Sequence, residues 1–360
     1  MKMKCLCCAA LLLAALTALP LGAQEYVYQE ASSLTLVGKL FPDTPNPYHR
    51  VDTVQYKGFT KAENLQVRES SGIAVAFRTN SPSIHIRTRF GEMQAPSNTN
   101  GISVSGYDLY IRRDGQWLWA SSGPRNAKFE EVALVSGLDG TWHDCLLYLP
   151  LFSEEQSILI GVEAEAGLEA LPNPFRYRIG VFGSSFTHGT STSRPGMTWP
   201  AQLSRLTGLQ LLSLGCSGNC KMQPYFAAAL ADAEVDAFLF DTFSNPTEKQ
   251  IRERLFPFIE KMRAAHPGKP LIFQRTIYRE NRNFDTASAQ KEASRAALVD
   301  SLMTLACARY SDVYLITPNA TSESHETSVD GIHPGDYGYT LWARSIEPQV
   351  LYILRKYGIE

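Results

Sequence analysis

The hydrophobic rhythm of this chain changes once, near Phe175, and no single layer of secondary structure accommodates both rhythms. From about Ser70 to Glu165 the apolar residues alternate with period two. Ile73, Val75 and Phe77 face one way, with Ala74, Ala76 and Arg78 opposite, and Ile84, Ile86 and Phe90 alternate with His85, Arg87 and Arg89. That alternation belongs to strands that lay one face on a core. The runs YDLYIRR (107–113) and QWLWAS (116–121) flank Asp114-Gly115, a pair that tolerates positive φ at both positions and so closes a hairpin. CLLYLPLF (145–152) and SILIGVE (157–163) add two more strands. Half a dozen short strands, punctuated by Gly, Pro and Ser and without a long helix, predict an all-β sandwich of jelly-roll type.

Past Phe175 the apolar residues come in short, near-continuous runs: RIGVF (178–182), LQLLSL (209–214), DAFLFD (236–241), PLIFQR (270–275) and VYLI (313–316). Such runs suit strands buried on both faces. Helical stretches separate them at 199–207, 224–233, 247–265 and 289–310, with a last one near 337–357. In the third, Ile251, Leu255, Phe258, Ile259 and Met262 recur at helical spacing. Repeated strand–helix alternation predicts an α/β fold, a doubly wound, parallel, five-stranded sheet with right-handed crossovers. The small residues and prolines of AEAGLEALPNP, including Pro172 and Pro174, read as a linker. The expected division is a sandwich over 24–174 and an α/β domain over 175–360.

The first 23 residues read as a secretory signal peptide. Lys2 and Lys4 precede an apolar run over 5–19, and Pro20 and Gly22 break it before Ala23. The run is shorter than the ~20 apolar residues that span a bilayer, and no later segment approaches that length. Export to the periplasm or beyond is therefore expected, without a membrane span. Removing the leader takes three of the seven Cys, leaving Cys145, Cys216, Cys220 and Cys307, too few for a disulfide scaffold. Cys216 and Cys220, four apart, are either a bridge or two free thiols. With 34 Lys+Arg against 36 Asp+Glu, there is no basic excess to attract nucleic acid or an anionic membrane. A neutral small molecule or a glycan is the expected partner.

In an open parallel sheet, ligands bind beyond the carboxyl ends of the strands. Four polar segments fall there: GSSFTHG (183–189), GCSGN (215–219), DTFSNP (241–246) and DGIHP (330–334). Together they hold what acyl transfer requires. A serine hydroxyl such as that of Ser185 is a weak nucleophile until a base takes its proton. His333 supplies the base, and Asp330, three residues earlier, an acceptor for the other ring nitrogen. The backbone N–H groups of Ser185 and Gly218, with the Asn245 amide, are the candidate oxyanion donors. Asn245 is equally placed to cap the next helix, with Thr247 as competitor. His188 sits too close along the turn of Ser185 to serve as base and is expected to line the substrate pocket, with Arg194 shaping substrate entry. His325, Asp330 and His333 match no helix-borne zinc pattern, so no metal is expected. Trp117, Trp119 and Trp142 lie in strand patterns and are expected to pack in the core rather than stack on sugars.

These four blocks resemble the SGNH, or GDSL-type, hydrolase family, whose serine, glycine, asparagine and histidine come in this chain order. GSSFTHG puts Ser185 in the nucleophile's place, SGN gives Gly218, FSNP gives Asn245, and DGIHP gives Asp330 and His333. The resemblance spans about 177–357, and the sandwich ahead of it is similar to the jelly-roll domain of one bacterial branch. Ser184 departs from the family's frequent Asp, and the third block from its Gly-x-Asn-Asp form. The resemblance implies a cofactor-free serine esterase acting on short acyl groups, often acetyl, on carbohydrates. A non-catalytic carbohydrate-binding protein on the same scaffold, or an acyltransferase using the same triad, are the alternatives.

Overall fold

A computed structural model describes residues 25–124 and 130–360. The leader expected over 1–23 lies outside the described residues. Ahead of Phe175 run β1 (Tyr26–Glu30), β2 (Thr35–Val37), β3 (Ala74–Thr79), β4 (Ser83–Met93), β5 (Tyr107–Arg113), β6 (Gln116–Gly123), β7 (Glu131–Ser136), β8 (His143–Tyr148), β9 (Ser153–Glu163) and β10 (Leu168–Ala170). They make two antiparallel sheets, β1-β9-β4-β7 and β10-β3-β8-β5-β6, with β2 also along β3. Two short helices, α1 (Lys61–Arg68) and α2 (Gly101–Ser105), interrupt them. The hairpin forms where expected, with φ of 51° at Asp114 and 79° at Gly115 between the paired Arg113 and Gln116.

Between the sheets, Ile73, Val75 and Phe77 meet Ile84, Ile86, Leu109, Leu147, Ile158 and Ile160 in one core. The other face of β3 is not open to water. Ala74 and Ala76, with Tyr110, Leu146 and Tyr148, pack against Phe175 and Ala201 of the second half. Small side chains on that face let the next layer approach closely, and β3 is buried on both sides.

Three expectations shift here. The segment read as one strand over 145–152 ends at Tyr148, with Pro150 just beyond, and β9 starts four residues earlier than expected. The linker carries β10, paired antiparallel with the end of β3. Trp119 and Trp142 are 54% and 43% exposed rather than buried. Trp119 lies on edge strand β6, with the Arg194 guanidinium 5.5 Å from its ring centroid.

One buried acid makes the sandwich sensitive to pH. The Glu155 side chain is fully buried and accepts from Thr88 Oγ1 (2.7 Å) and Tyr107 Oη (2.9 Å). Burial pushes its pKa from 4.5 up to about 8, against the opposing pull of those two donors. The folded protein therefore holds a proton that the unfolded chain releases. The contribution of Glu155 to stability is full below about 4.5 and is lost as pH rises toward 8, by on the order of 4 kcal/mol. Chemical denaturation of wild type and Glu155→Gln across that window checks this: the variant is expected to lose most of the decline, and parallel curves would refute the assignment.

The second half is built on β11 (Arg176–Gly183), β12 (Leu209–Gly215), β13 (Ala237–Asp241), β14 (Leu271–Gln274) and β15 (Val313–Ile316), all parallel, in the order β12-β11-β13-β14-β15. Helices α3 (Ser185–His188), α4 (Trp199–Thr207), α5 (Pro224–Ala231), α6 (Glu248–Ala265), α7 (Thr286–Arg309) and α8 (Asp336–Arg355) follow in turn. Trp199, Leu203, Trp342 and Ile346 of α4 and α8 cover one face of the sheet. The five α6 residues singled out by their spacing cover the other, with Phe226 and Met303. Thr247, not Asn245, caps α6, in a reciprocal box with Gln250. Strand order reverses at β11, which puts the ligand-binding crevice of such a sheet at its carboxyl end. No described helix is long and apolar enough to cross a membrane.

Candidate active site

At the end of β11 the chain must turn sharply into α3. A Cβ on Gly183 would lie 1.9 Å from Thr187 Oγ1, and one on Gly215 would lie 2.1 Å from the His188 backbone nitrogen, so only glycine admits this packing. Ser184 caps α3 by accepting from the Phe186 N–H (3.2 Å) and donates its hydroxyl to Asp241 Oδ2 (2.7 Å). The same oxygen accepts from the Ser184 N–H (3.1 Å) and from Thr187 Oγ1 (2.9 Å). Burial pushes the Asp241 carboxyl up to about 6, against the pull of these donors. Asp241, at the tip of β13, thus braces the turn that presents the next residue, Ser185.

Ser185 is 6% exposed, and its Oγ lies 2.9 Å from His333 Nε2. His333 Nδ1 lies 2.8 Å from Asp330 Oδ2. Asp330 Oδ1 accepts from the backbone N–H groups of Ile332 (2.9 Å) and His333 (2.7 Å). Partial burial pushes the Asp330 carboxyl up, but the donors from His333, Asn98 and Ile332 outweigh it and hold the pKa at about 2. An ionised Asp330 fixes the ring proton on Nδ1 and leaves Nε2 free to accept from Ser185. The ring of Phe186 meets the His333 ring edge-on at 5.5 Å between centroids, which restrains its tilt.

The candidate oxyanion donors are unengaged. Neither the Ser185 N–H nor the Gly218 N–H has a protein acceptor among the described residues. Gly218, at φ +73°, is the third residue of a turn closed by the Asn219 N–H on the Cys216 carbonyl (3.0 Å). The Oδ1 of Asn245 accepts from the Cys220 N–H (3.2 Å), which fixes the amide so that its NH2 points the other way. Cys216 and Cys220 are buried free thiols, not a bridge.

Two expected pocket residues sit elsewhere. His188 is fully buried: its Nε2 lies 2.8 Å from the Leu151 carbonyl and 3.2 Å from Glu69 Oε2, and its ring stacks on Phe152. It ends α3 and turns into the contact with the sandwich, leaving no face for a substrate. Arg194 donates to Asp108 Oδ2 (2.7 Å) and Tyr110 Oη (2.6 Å) of β5 instead of guarding an entrance. Asp108 Oδ2 also accepts from the Gly196 N–H (2.8 Å), so one buried carboxylate pins the loop that follows α3. A further residue was not expected at all. Asn98, in the loop between β4 and α2, donates from Nδ2 to Asp330 Oδ2 at 2.7 Å. A loop asparagine 232 positions away carries no sequence signal for that contact.

Residues 176–351 match the model of the GDSL-like lipase/acylhydrolase family. Residues 25–168 match a second model, that of the N-terminus of SGNH-hydrolase-type esterases. Its signature, Gly-x-Asp-Leu-Tyr, stands here as Gly106 to Tyr110 and includes Asp108 and Tyr110, the β5 partners of Arg194. No curated protein matches the chain. Among solved structures, a GDSL-like lipase from Bacteroides ovatus is 36% identical, with a TM-score of 0.88 over 92% of this chain and 98% of that one. The salicylyl-acyltransferase SsfX3 of a tetracycline biosynthetic pathway shares the fold at 22% identity, TM-score 0.70, over 92% and 98% of the two chains. A family two carbohydrate esterase from Clostridium thermocellum, in complex with cellohexaose, does so at 15% identity, TM-score 0.57, over 79% and 93%. With the Bacteroides ovatus likeness extending through both halves, the chain belongs to the GDSL-like lipase/acylhydrolase family.

Proposed function

We propose that the protein is an exported serine esterase that removes short acyl groups, acetyl first among them, from carbohydrates. The observation that carries the chemistry is the continuous hydrogen-bonded path from Ser185 Oγ through His333 to Asp330. In this reading Ser185 Oγ attacks the ester carbonyl as its proton passes to His333 Nε2, and Asp330 stabilises the imidazolium. The tetrahedral oxyanion takes hydrogen bonds from the N–H groups of Ser185 and Gly218 and from the Asn245 amide. His333 then protonates the leaving alkoxide, the C–O bond breaks, and the sugar hydroxyl departs. Water, deprotonated by His333, attacks the acyl-enzyme; collapse releases the acid and returns the proton to Ser185.

The glycan substrate class is supported by the fold, on which a carbohydrate esterase holds cellohexaose. Incubation with a panel of acetylated polysaccharides and with p-nitrophenyl acetate is expected to release acetate from at least one polysaccharide. Binding of those glycans without acetate release would favour a carbohydrate-binding role. Acyl transfer to an added alcohol in preference to water would favour an acyltransferase.

A further inference from the structure

Asp330 has one more donor than a serine–histidine–aspartate relay requires, and that donor comes from the other half of the chain. Its Oδ1 is filled by two backbone N–H groups of its own loop. Its Oδ2 receives both His333 Nδ1 and the Nδ2 of Asn98, at 2.8 and 2.7 Å. The Asn98 amide also lies 3.3 Å from His333 Nδ1. With the ring proton on Nδ1, the amide has only the carboxylate to donate to. Its orientation is set independently: Thr99 Oγ1 donates to Asn98 Oδ1 at 3.4 Å, which turns the NH2 toward Asp330.

The loop that carries Asn98 is itself stitched to the segment following α3. Thr99 Oγ1 accepts from the Ser191 N–H (3.3 Å), Asn100 Nδ2 donates to the Ser193 carbonyl (2.9 Å), and Ser103 Oγ donates to the Thr192 carbonyl (2.6 Å). That segment is tied in turn to α8, through Ser193 N–H on Asp336 Oδ1 (2.8 Å) and Tyr339 Oη on the Thr190 carbonyl (2.8 Å). Asn98 therefore reaches Asp330 from a preorganised frame.

From this geometry we infer that Asn98 is a positioning residue for the His333–Asp330 pair, supplied by the sandwich half, which sets how strongly Asp330 holds the imidazolium. The inference rests on the esterase reading above. The physical consequence is a graded one. A neutral donor on Oδ2 disperses part of the carboxylate's charge and fixes its plane, so the histidine is oriented without being trapped in its protonated form. Besides Asp330, the charged groups around this pair are Arg279, whose guanidinium lies 5.7 Å over the Phe186 ring, and the carboxylates of Asp241 and Asp336. The Glu280–His325 pair sits on the neighbouring loop, whose Asn281 N–H donates to the Gly331 carbonyl. Substitution at Asn98 leaves all of these in place.

The test is the pH profile of kcat/KM on p-nitrophenyl acetate. Asn98→Ala is expected to lower kcat about tenfold with KM little changed, and to move the acid limb upward by about half a pH unit. Asn98→Asp, which puts a second carboxylate beside the ring, is expected to move the limb further, by about one unit or more. Asn100→Ala loosens the frame without removing the amide, and is expected to move the limb by clearly less than Asn98→Ala does. Thermal midpoints near that of wild type establish that each variant is folded. An unmoved limb in both Asn98 variants, or an equal shift in Asn100→Ala, overturns the inference. Full turnover in Ser185→Ala would instead overturn the esterase reading on which it stands, so the two failures are told apart.

Discussion

Ser185→Ala is expected to lower kcat/KM on p-nitrophenyl acetate by about 10⁵-fold with the fold intact. Among the described residues the Ser185 hydroxyl is engaged only with His333 Nε2, so removing it disturbs no buried scaffold bond there. Thermal midpoint and circular dichroism should stay near wild type. Catalysis should fall to what the oxyanion donors and binding alone provide, about 10³- to 10⁴-fold above water. Because the three groups act as a unit, Ser185→Ala combined with His333→Ala is expected to be no worse than either change alone. Multiplicative losses in the double variant would mean that the two side chains act in separate steps.

The largest effect on stability is expected at Arg50. Its guanidinium is completely buried and donates to three carbonyls, those of Glu69 (2.8 Å), Gly215 (3.0 Å) and Gln66. Glu69 and Gln66 belong to the end of α1, whereas Gly215 closes β12, so one side chain joins the first half to the sheet of the second. Arg50→Ala takes the charged donor away from three buried carbonyls, of which that of Gln66 keeps the Glu69 N–H (3.3 Å), and opens a cavity, for an expected loss of about 4–6 kcal/mol. That is a large share of the 5–15 kcal/mol typical of folded proteins. Arg50→Lys should recover only part of it, because an ammonium cannot reproduce the planar fork. Urea denaturation followed by fluorescence and by esterase activity measures both variants. A loss below about 1 kcal/mol for Arg50→Ala would show that water replaces the guanidinium without penalty. Activity should weaken alongside, since Gly215 leads directly into the turn that holds Gly218.

The α/β half was legible because a strand covered on both faces must be apolar throughout. All five runs named from the sequence are strands of the sheet, and the α6 stripe faces the core. The Asp114-Gly115 hairpin was legible for a local reason, the positive φ at both residues. What escaped notice depends on partners far along the chain. Strands β1, β2 and β10 are short or polar pieces along sheet edges, and their neighbours, not their own pattern, make them strands. The second buried face of β3 shows only as Ala74 and Ala76, which alternate no differently from solvent-facing alanines. The position of His188, so soon after Ser185, points to the pocket, yet the end of a one-turn helix aims it into Glu69 and Leu151. Ser185, Asp330 and His333 were legible since each sits where a strand or helix end forces a polar turn, and they do come within hydrogen-bonding distance.

The double-sided burial of β3 bears on how such a protein changes over generations. A sandwich with one wet face can be shuffled between genes as a cassette, because nothing beneath it depends on it. Here Ala74 and Ala76 are floor to one layer and ceiling to another, and Asp108 anchors a loop of the neighbouring half. Any recombination that parted the two would strand apolar surface and orphan ionic partners on both fragments. The pair is constrained to travel as a single heritable block, and drift at the seam must be compensated on its opposite side.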